Sequence, residues 1–273
     1  MGSLGRTDSA QLQPPAITGR LTLRGIGVVL PAYNEEAVIA ETVGKCVQTL
    51  SVIAPDFEII VVDDGSYDQT GAIADALSAS DPRIRVVHNR PNRGYGGALL
   101  AGFAQVSKEL TFYMDSDGQF DIRDLVKLLE RREQGYRAVL GYRARRQDST
   151  MRLLNAWGWN LLVSRLFNLH VRDIDCAFKL YDTELVRAFD TQSVGAVVST
   201  EMLVKLTRMD IPFVEIPVQH LPRLHGKATG AKLRVIVRAF AELLRLRSKL
   251  RAWAPATPLL ATDAVESSRV IPG

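Results

Sequence analysis

The ten residues Leu110-Thr111-Phe112-Tyr113-Met114-Asp115-Ser116-Asp117-Gly118-Gln119 join an apolar run to a cluster of carboxylates. The run Leu110 to Met114 is nearly continuous in apolar residues, which predicts a strand buried on both faces. If the chain stays extended beyond it, Asp115 and Asp117 project to the same side, so one divalent cation could lie between them. Hard carboxylate oxygens favour Mg²⁺ or Mn²⁺, ions that usually complete their shells with substrate phosphates and water.

The same kind of apolar run recurs along the first half of the chain. Four further strands are predicted, at Ile26 to Leu30, Phe57 to Val62, Ile84 to His88 and Ala138 to Tyr142. Segments with helical periodicity separate them, at Glu36 to Leu50, Asp68 to Ser80, Gly96 to Lys108 and Asp121 to Gln134. This alternation predicts an α/β fold with a mostly parallel central sheet flanked by helices. It ends at Arg143, and a mixed region follows to Pro222.

Polar residues follow three of the predicted strands at the point where each strand ends. Pro31 to Glu35 follow the first strand, Asp63 to Ser66 the second and Asp115 to Gln119 the fourth. Ligands of open parallel sheets bind beyond the carboxyl ends of the strands, so these residues predict a site at one edge. The first strand lacks the Gly-x-Gly-x-x-Gly of a dinucleotide fold. The glycine-rich stretch Asn92 to Gly97 could let the backbone approach a ligand.

The positive charge of the chain is concentrated near its end. The formal net charge is +4, yet between Lys232 and Arg251 seven basic residues stand against Glu242 alone. The remainder is slightly acidic, which argues against a nucleic-acid partner. At about 100° per residue this stretch predicts an amphipathic C-terminal helix with two faces. Its basic face carries Arg234, Arg238, Arg245 and Lys249, and its apolar face Leu233, Ile236, Val237, Phe240, Leu243 and Leu244.

Taken in order, the motifs after the strands resemble those of glycosyltransferase family 2. The matching stretches are Pro31 to Glu35, Val62 to Ser66, Asn92 to Gly97 and Asp115 to Gln119. With Asp173 to Tyr181, Glu215 to Val218 and His220 to Lys227, the chain is more closely similar to polyprenol-phosphate mannosyl- and glucosyltransferases of the dolichol-phosphate-mannose-synthase type. The resemblance covers Gly25 to Leu250. It implies the GT-A (nucleotide-diphospho-sugar transferase) fold and an inverting, metal-dependent hexosyltransferase.

The resemblance also implies roles for individual residues. Binding of the nucleotide sugar falls to Pro31, Tyr33, Glu35, Asp63, Asp64, Arg93, Gly94, Asp115, Ser116 and Gln119, with Asp64 on the base edge. Binding of Mg²⁺ or Mn²⁺ is assigned to Asp115, Asp117 and Gln119. Binding of the acceptor phosphate is assigned to Arg143, Lys179, Arg223 and Lys227. Catalysis is assigned to Asp117, Asp173 and Arg143. Lys179 stands where arginine is usual, which forgoes a bidentate contact.

The resemblance divides the chain into parts. Residues 1–24 are predicted to be a disordered leader, 25–231 the catalytic domain, 232–253 the basic helix and 254–273 a disordered tail. The leader lacks the apolar segment of a signal peptide, which predicts a cytoplasmic protein. No stretch approaches the about 18 uninterrupted apolar residues of a membrane span. We therefore expect the chain to lie, at most, peripherally on the cytosolic face of a membrane.

Several functions remain open at this stage. The favoured donor is UDP-glucose, with GDP-mannose second, and the favoured acceptor is a polyprenyl phosphate. A soluble or protein-bound acceptor is the first alternative. A sugar nucleotidyltransferase and a non-catalytic membrane-surface scaffold are alternatives from other classes. The basic helix is expected to meet an anionic membrane surface, an integral-membrane partner or a second copy of the chain in a homodimer, with an ordinary packing helix as the alternative.

Overall fold

The computed structural model describes residues 25–144, 150–222 and 233–254, and within these the side chains of 25–144, 157–222 and 240–254. The described residues form a seven-stranded sheet in the order β3-β2-β1-β4-β6-β5-β7. The strands are β1 (Ile26–Ala32), β2 (Phe57–Asp63), β3 (Ile84–His88), β4 (Leu110–Met114), β5 (Ala138–Arg143), β6 (Phe178–Asp182) and β7 (Phe213–Val218). The five predicted strands are confirmed, each within two residues at its end.

One strand runs against the others. β6 pairs antiparallel with both β4 and β5, whereas the remaining pairs are parallel. Because two antiparallel steps restore the direction, the carboxyl ends of β1, β2, β4 and β5 all reach the same edge of the sheet. This edge, called the carboxyl edge below, is where the sequence predicts the site.

Eight helices cover the sheet within the described residues. They are α1 (Ile39–Ile53), α2 (Thr70–Ser80), α3 (Gly94–Phe103), α4 (Leu125–Glu133), α5 (Thr150–Phe167), α6 (Thr183–Phe189), α7 (Val198–Arg208) and α8 (Leu233–Arg251). A short 3-10 turn, Ile122–Asp124, precedes α4.

The predicted starts of the first two helices are too early, because loop residues at the carboxyl edge bind one another first. The side chain of Glu36 accepts from the backbone N–H of Gln69 at 2.9 Å, which holds the residues before α1 in a turn. The Asp68 carboxylate accepts from the Thr70 N–H at 2.9 Å, so Asp68 lies just outside α2. Both predicted ends of α3 are wrong. The helix covers Gly94–Phe103, whereas Gly96 to Lys108 was predicted.

The apolar face of α8 is shared between the core and the solvent. Leu243, Leu246 and Leu250 are buried in the same core cluster as the strands. Phe240 and Leu244 keep 44% and 63% of their surface exposed. Of the predicted apolar face, Leu243 therefore meets the core, whereas Phe240 and Leu244 stay largely exposed; the side chains of Leu233, Ile236 and Val237 lie outside the described residues. Its packing gives no test of the predicted domain boundaries, which stay a prediction.

No helix in residues 25–144, 150–222 and 233–254 is both long and apolar enough to cross a membrane.

Candidate active site

The exits of β1 and β2 form one end of the candidate site. The register pairs Ala32 with Asp63, so the two chains leave the sheet side by side. Asn34 then links the two loops, because its N–H donates to the Ser66 hydroxyl at 3.0 Å and its Oδ1 accepts from the Tyr67 N–H at 3.0 Å. Tyr33 lies beside this link with 46% of its surface exposed. Of the residues predicted to bind the nucleoside here, Tyr33 is the one most open to a ligand.

Asp63 and Asp64 are buried and bind their own chain. Asp63 accepts from the Ser66 N–H at 2.9 Å and contacts His88 Nδ1 at 3.0 Å. Burial alone would raise the pKa of Asp63, but the hydrogen bonds from Ser66 and His88 outweigh it and hold that pKa below its usual value. Asp64 Oδ1 and Oδ2 accept from the N–H groups of Arg93 and Gly94, each at 2.9 Å.

Asp64 therefore organises the turn that starts α3. Its role on the base edge stays a prediction, and any contact there would share a carboxylate that already accepts these bonds. Gly94 adopts a positive φ of 80° at this turn, a conformation that favours glycine. Arg93 is exposed beside it.

The glycines after Gly94 admit this chain's own backbone. A Cβ on Gly96 would lie 2.4 Å from the Ser193 carbonyl oxygen and 2.8 Å from that of Gly195. The Gly97 N–H donates to the Val194 carbonyl at 3.0 Å. Gly96 thus lets the 193–195 segment pack on α3, and the Gly97 N–H binds that segment; an approach of this backbone to a ligand stays a prediction.

The Asp115–Gln119 loop joins the end of β4 to the end of β1. The strand ends at Met114 and the chain bends over residues 116–118, so it does not keep the extended conformation in which Asp115 and Asp117 would project to the same side. The buried Ser116 hydroxyl donates to the Pro31 carbonyl at 2.7 Å. Ser116 and Pro31 therefore hold the loop, while Asp115 and Asp117 on either side of Ser116 keep part of their surface exposed.

Gln119 closes the other end of this loop. Its N–H donates to Asp117 Oδ1 at 3.0 Å, and its side-chain Nε2 donates to the Leu221 carbonyl at 3.1 Å. The loop is thus tied to the segment after β7. On the opposite side, the hydroxyl of Tyr95 hydrogen-bonds to Asp115, and burial, followed by the charge of Asp115, raises the pKa of Tyr95.

The donor set at this loop fits a magnesium or manganese ion. Within the described parts of the chain, no group of three or more His, Cys, Asp and Glu residues is arranged to hold a metal. The candidate ligands at this loop are therefore two neighbouring, partly exposed carboxylates, those of Asp115 and Asp117. Mg²⁺ is typically bound through one or two carboxylates plus substrate phosphates, so this pair suits an ion that arrives with a diphosphate.

An arginine–carboxylate pair lies at the end of β5. Arg143 Nε donates to Asp173 Oδ2 at 2.7 Å, and its second terminal nitrogen donates to Oδ1 at 2.8 Å. Burial disfavours the charge of Arg143, but the Asp173 carboxylate outweighs it and raises the pKa of the guanidinium. Nearby, partial loss of hydration of its carboxylate, followed by the charge of Asp173, raises the pKa of Asp175 to about 6, although Asp175 is still exposed at the surface.

Lys179 is placed differently from the prediction of an open phosphate contact. It is fully buried in β6, and its Nζ donates to the Ile174 carbonyl at 3.1 Å and to the Cys176 carbonyl. The ammonium therefore holds the 174–176 turn that follows Asp173. Arg223 and Lys227, the other predicted phosphate contacts, lie outside the described residues.

A known protein family shares the motifs that form this arrangement. The model described as "Glycosyl transferase family 2" matches residues 27–190, which include the three loops of the carboxyl edge. The chain belongs to glycosyl transferase family 2. The resemblance drawn from the sequence motifs is confirmed.

Relatives of this family 2 chain include archaeal and bacterial proteins. It is 37% identical over 207 residues to glycosyltransferase AglD from Haloferax volcanii, covering 72% of this chain and 33% of that protein. It is 32% identical over 213 residues to undecaprenyl-phosphate 4-deoxy-4-formamido-L-arabinose transferase from Pseudomonas aeruginosa, covering 77% of this chain and 62% of the relative. The chain thus spans about one third to two thirds of the length of these relatives.

Solved structures confirm the fold. Glucosyl-3-phosphoglycerate synthase from Mycobacterium tuberculosis aligns with a TM-score of 0.62 at 22% identity, over 82% of this chain and 80% of that one. The family 2 chain has the GT-A fold, with a mostly parallel sheet flanked by helices.

Two tyrosines at the carboxyl edge of this family 2 protein escaped the sequence reasoning. Tyr67 follows the Asp63 to Ser66 motif directly and is 84% exposed. Tyr95 lies inside the glycine-rich stretch and contacts Asp115. In the sequence only their position could have identified them, since each is an aromatic residue within or next to a predicted ligand loop.

Proposed function

We propose that this family 2 chain is an inverting, metal-dependent hexosyltransferase that moves a sugar from a nucleoside diphosphate to a polyprenyl phosphate. The observation that carries the proposal is the carboxyl edge itself. There Tyr33 lies at the end of β1, the Asp115 and Asp117 pair at the end of β4, and the Arg143–Asp173 pair at the end of β5. Base, diphosphate and acceptor phosphate would each meet residues suited to them along that edge.

The donor would lie across the first two of these groups. Its base would contact Tyr33, while its diphosphate would reach the Asp115–Gln119 loop. Ser116 supports this placement, because its hydrogen bond to the Pro31 carbonyl fixes the loop beside the exit of β1. A Mg²⁺ or Mn²⁺ ion bound by Asp115 and Asp117 would neutralise charge on the leaving diphosphate. The mycobacterial synthase was crystallised with Mn²⁺ and uridine diphosphate, which makes a uridine donor the first to try.

The acceptor would meet Arg143. A phosphate monoester is already ionised near neutral pH, so its oxygen can attack the anomeric carbon without a strong general base. In this reaction, a new bond forms between that oxygen and the anomeric carbon, and the bond from this carbon to the diphosphate breaks. The diphosphate leaves with the electron pair, and attack from the opposite face inverts the anomeric centre. Asp173 would orient Arg143 for this contact, because their bidentate pair fixes the guanidinium plane.

A lipid acceptor is favoured by the relatives. The P. aeruginosa protein is named for undecaprenyl phosphate. The soluble alternative is represented by the synthase from M. tuberculosis, which was crystallised with phosphoglyceric acid. Both compounds offer an anionic phosphate or carboxylate to a cation such as Arg143, so the choice between them is a matter for experiment.

The test is a matrix of donors and acceptors. UDP-glucose and GDP-mannose are each incubated with undecaprenyl phosphate or 3-phosphoglycerate, with Mn²⁺, Mg²⁺ or a chelator. The proposal predicts sugar transfer to the lipid that requires the metal, with an inverted anomeric configuration by NMR. Transfer to 3-phosphoglycerate alone would favour the soluble acceptor. Release of pyrophosphate from a nucleoside triphosphate and a sugar phosphate would favour a nucleotidyltransferase.

We also propose that α8 holds the enzyme on an anionic membrane surface. Phe240 and Leu244 are exposed on α8, and Arg245 and Lys249 are exposed further along the same helix. Phe240 packs edge-on against Trp159 of α5 at 5.7 Å between ring centroids. Exposed apolar side chains beside basic ones are typical of helices that lie in a membrane interface. The predicted basic residues Arg234 and Arg238 have side chains outside the described set.

The membrane proposal is tested by vesicle binding. Changing Arg245 and Lys249 to glutamate should abolish sedimentation with vesicles that contain phosphatidylglycerol, since each cation contributes about 1 kcal/mol near such a surface. A matched reversal of two exposed cations elsewhere, Lys45 on α1 and Arg83 in the turn before β3, should leave binding intact. If the wild-type chain ignores these vesicles at low salt, the membrane proposal is wrong.

A further inference from the structure

Two exposed tyrosines pair at the carboxyl edge of the sheet. Tyr33 follows β1 and Tyr67 follows β2, with 46% and 84% of their surfaces exposed. Their ring centroids are 6.1 Å apart and their planes meet at 87°. The two rings therefore form an aromatic corner, the tyrosine corner of the paragraphs below, and most of the Tyr67 ring faces solvent.

The backbone fixes the tyrosine corner in place. Asn34 accepts from the Tyr67 N–H and donates its own N–H to Ser66, each at 3.0 Å. Asn34 itself has a positive φ of 58°, a conformation that asparagine tolerates better than most residues. The two loops that carry the rings are thus hydrogen-bonded to each other through Asn34, the residue next to Tyr33.

The corner lies within reach of the diphosphate loop. Ser116, between the two candidate metal ligands, donates to the carbonyl of Pro31 at 2.7 Å, and Pro31 is two residues from Tyr33. A planar aromatic ligand attached to a diphosphate would then lie along this edge, with its ring at the corner and its phosphates at Asp115 and Asp117. An exposed aromatic ring binds such a ligand favourably, because stacking removes from water the facing surfaces of the side chain and of the base.

We infer that Tyr67 stacks on the nucleobase of the donor and forms the corner with Tyr33. This inference rests on the proposed function, and it adds a residue that the motif resemblance did not include. Every nucleobase has a π face, so stacking on Tyr67 strengthens binding of uridine and guanosine donors alike. Tyr67 sets the affinity for the nucleoside, and the choice of base must come from hydrogen bonds elsewhere.

The experiment compares a ligand that has a base with one that lacks it. Isothermal titration calorimetry measures the Kd of UDP, GDP and inorganic pyrophosphate, each with Mn²⁺, for the wild type, Tyr67→Phe and Tyr67→Ala. Stacking on an aromatic side chain is worth about 1–3 kcal/mol per base, so Tyr67→Ala should weaken UDP and GDP by roughly 5- to 150-fold. Tyr67→Phe keeps the ring and should bind as the wild type does. Pyrophosphate should bind all three proteins equally.

The control is Trp157→Ala, which removes an aromatic ring of similar exposure, 64%, from α5. It should leave all three affinities unchanged. If Tyr67→Ala binds UDP and GDP as tightly as the wild type, the stacking role is wrong while the proposed function stands. If Tyr67→Ala weakens pyrophosphate as much as UDP, the residue acts on the diphosphate loop and the stacking role is again wrong. If the wild type binds no nucleoside diphosphate, the proposed function fails and the inference fails with it.

Discussion

Replacing Gly96 with alanine tests how α3 is held at the active site. A Cβ there would lie 2.4 Å and 2.8 Å from two backbone carbonyl oxygens, those of Ser193 and Gly195. Ordinary contact begins at 3.4 Å, so the 193–195 segment must retreat by about an ångström. Backbone atoms cannot turn aside as a flexible side chain can, and the Gly97 to Val194 hydrogen bond is strained by the same shift.

The free energy of unfolding can be worked out from these contacts. Overpacking of this kind costs about 1–3 kcal/mol, and a weakened backbone hydrogen bond adds up to about 1 kcal/mol. Alanine in place of glycine returns at most about 1 kcal/mol of helix propensity. Gly96→Ala should therefore destabilise the protein by about 2 kcal/mol, which lowers the Tm by roughly 4–8 °C at this chain length.

Gly44→Ala is the matched control, because it makes the same chemical change in the middle of α1, where an added Cβ meets nothing within 4 Å. Only the propensity term remains there, so this variant should be about 0.5–1 kcal/mol more stable than the wild type. Urea denaturation followed by circular dichroism measures both. If the two substitutions change stability in the same direction, the packing of α3 on the 193–195 segment is not what the structure indicates.

Two further predictions concern Asp64 and the contact between His88 and Asp63 near the same edge. Asp64→Ala should raise the donor KM by about tenfold and change kcat less, because the turn that starts α3 loses its acceptor; steady-state kinetics with an unchanged KM would contradict this. The hydrogen bond that His88 donates to Asp63, aided by a second one to Asp75, raises the pKa of His88. Stability from this contact is full below the unfolded pKa of about 6.5 and is lost as pH rises through the folded value. His88→Gln should thus lose more stability at pH 6 than at pH 9 by urea denaturation, and equal losses would refute the assignment.

The strands were predictable because burial on both faces demands continuous apolar runs. β1, β2 and β4 are buried along their whole length and β5 along most of it, and these runs were placed correctly; β3, a partly buried edge strand, was placed correctly from its apolar residues alone. β6 was not, because it contains Lys179 at its second position. A charged residue argues against a buried strand, yet the ammonium here donates to two carbonyls of the turn before it. Only the folded chain brings those carbonyls to the lysine.

Within the site, the position of each loop was predictable and the task of each side chain was not. The motifs placed Asp64, Ser116 and Asp117 at one edge, because the carboxyl ends of parallel strands meet there. Whether a carboxylate faces a ligand or its own backbone depends on loop geometry over about 30 residues of separation, as in the bond from Gly94 to Asp64. On α8, periodicity predicted which residues share an apolar face, but it could not show that Leu243 meets the core while Phe240 and Leu244 stay exposed.

The central claim is metal-dependent sugar transfer through the Asp115–Gln119 loop, and its most direct test is transfer to undecaprenyl phosphate by Asp117→Asn. The assay follows radiolabelled sugar from its nucleotide into the lipid phase, in saturating Mn²⁺ and Mg²⁺, with Glu130→Gln on the exposed side of α4 as the control. Loss of a metal ligand removes several kcal/mol of transition-state stabilisation, so transfer should fall at least about 100-fold. The Tm should stay within about 2 °C of the wild type, because a half-exposed carboxylate adds little to stability, and the control should keep full activity. Near-normal transfer by Asp117→Asn would contradict the account.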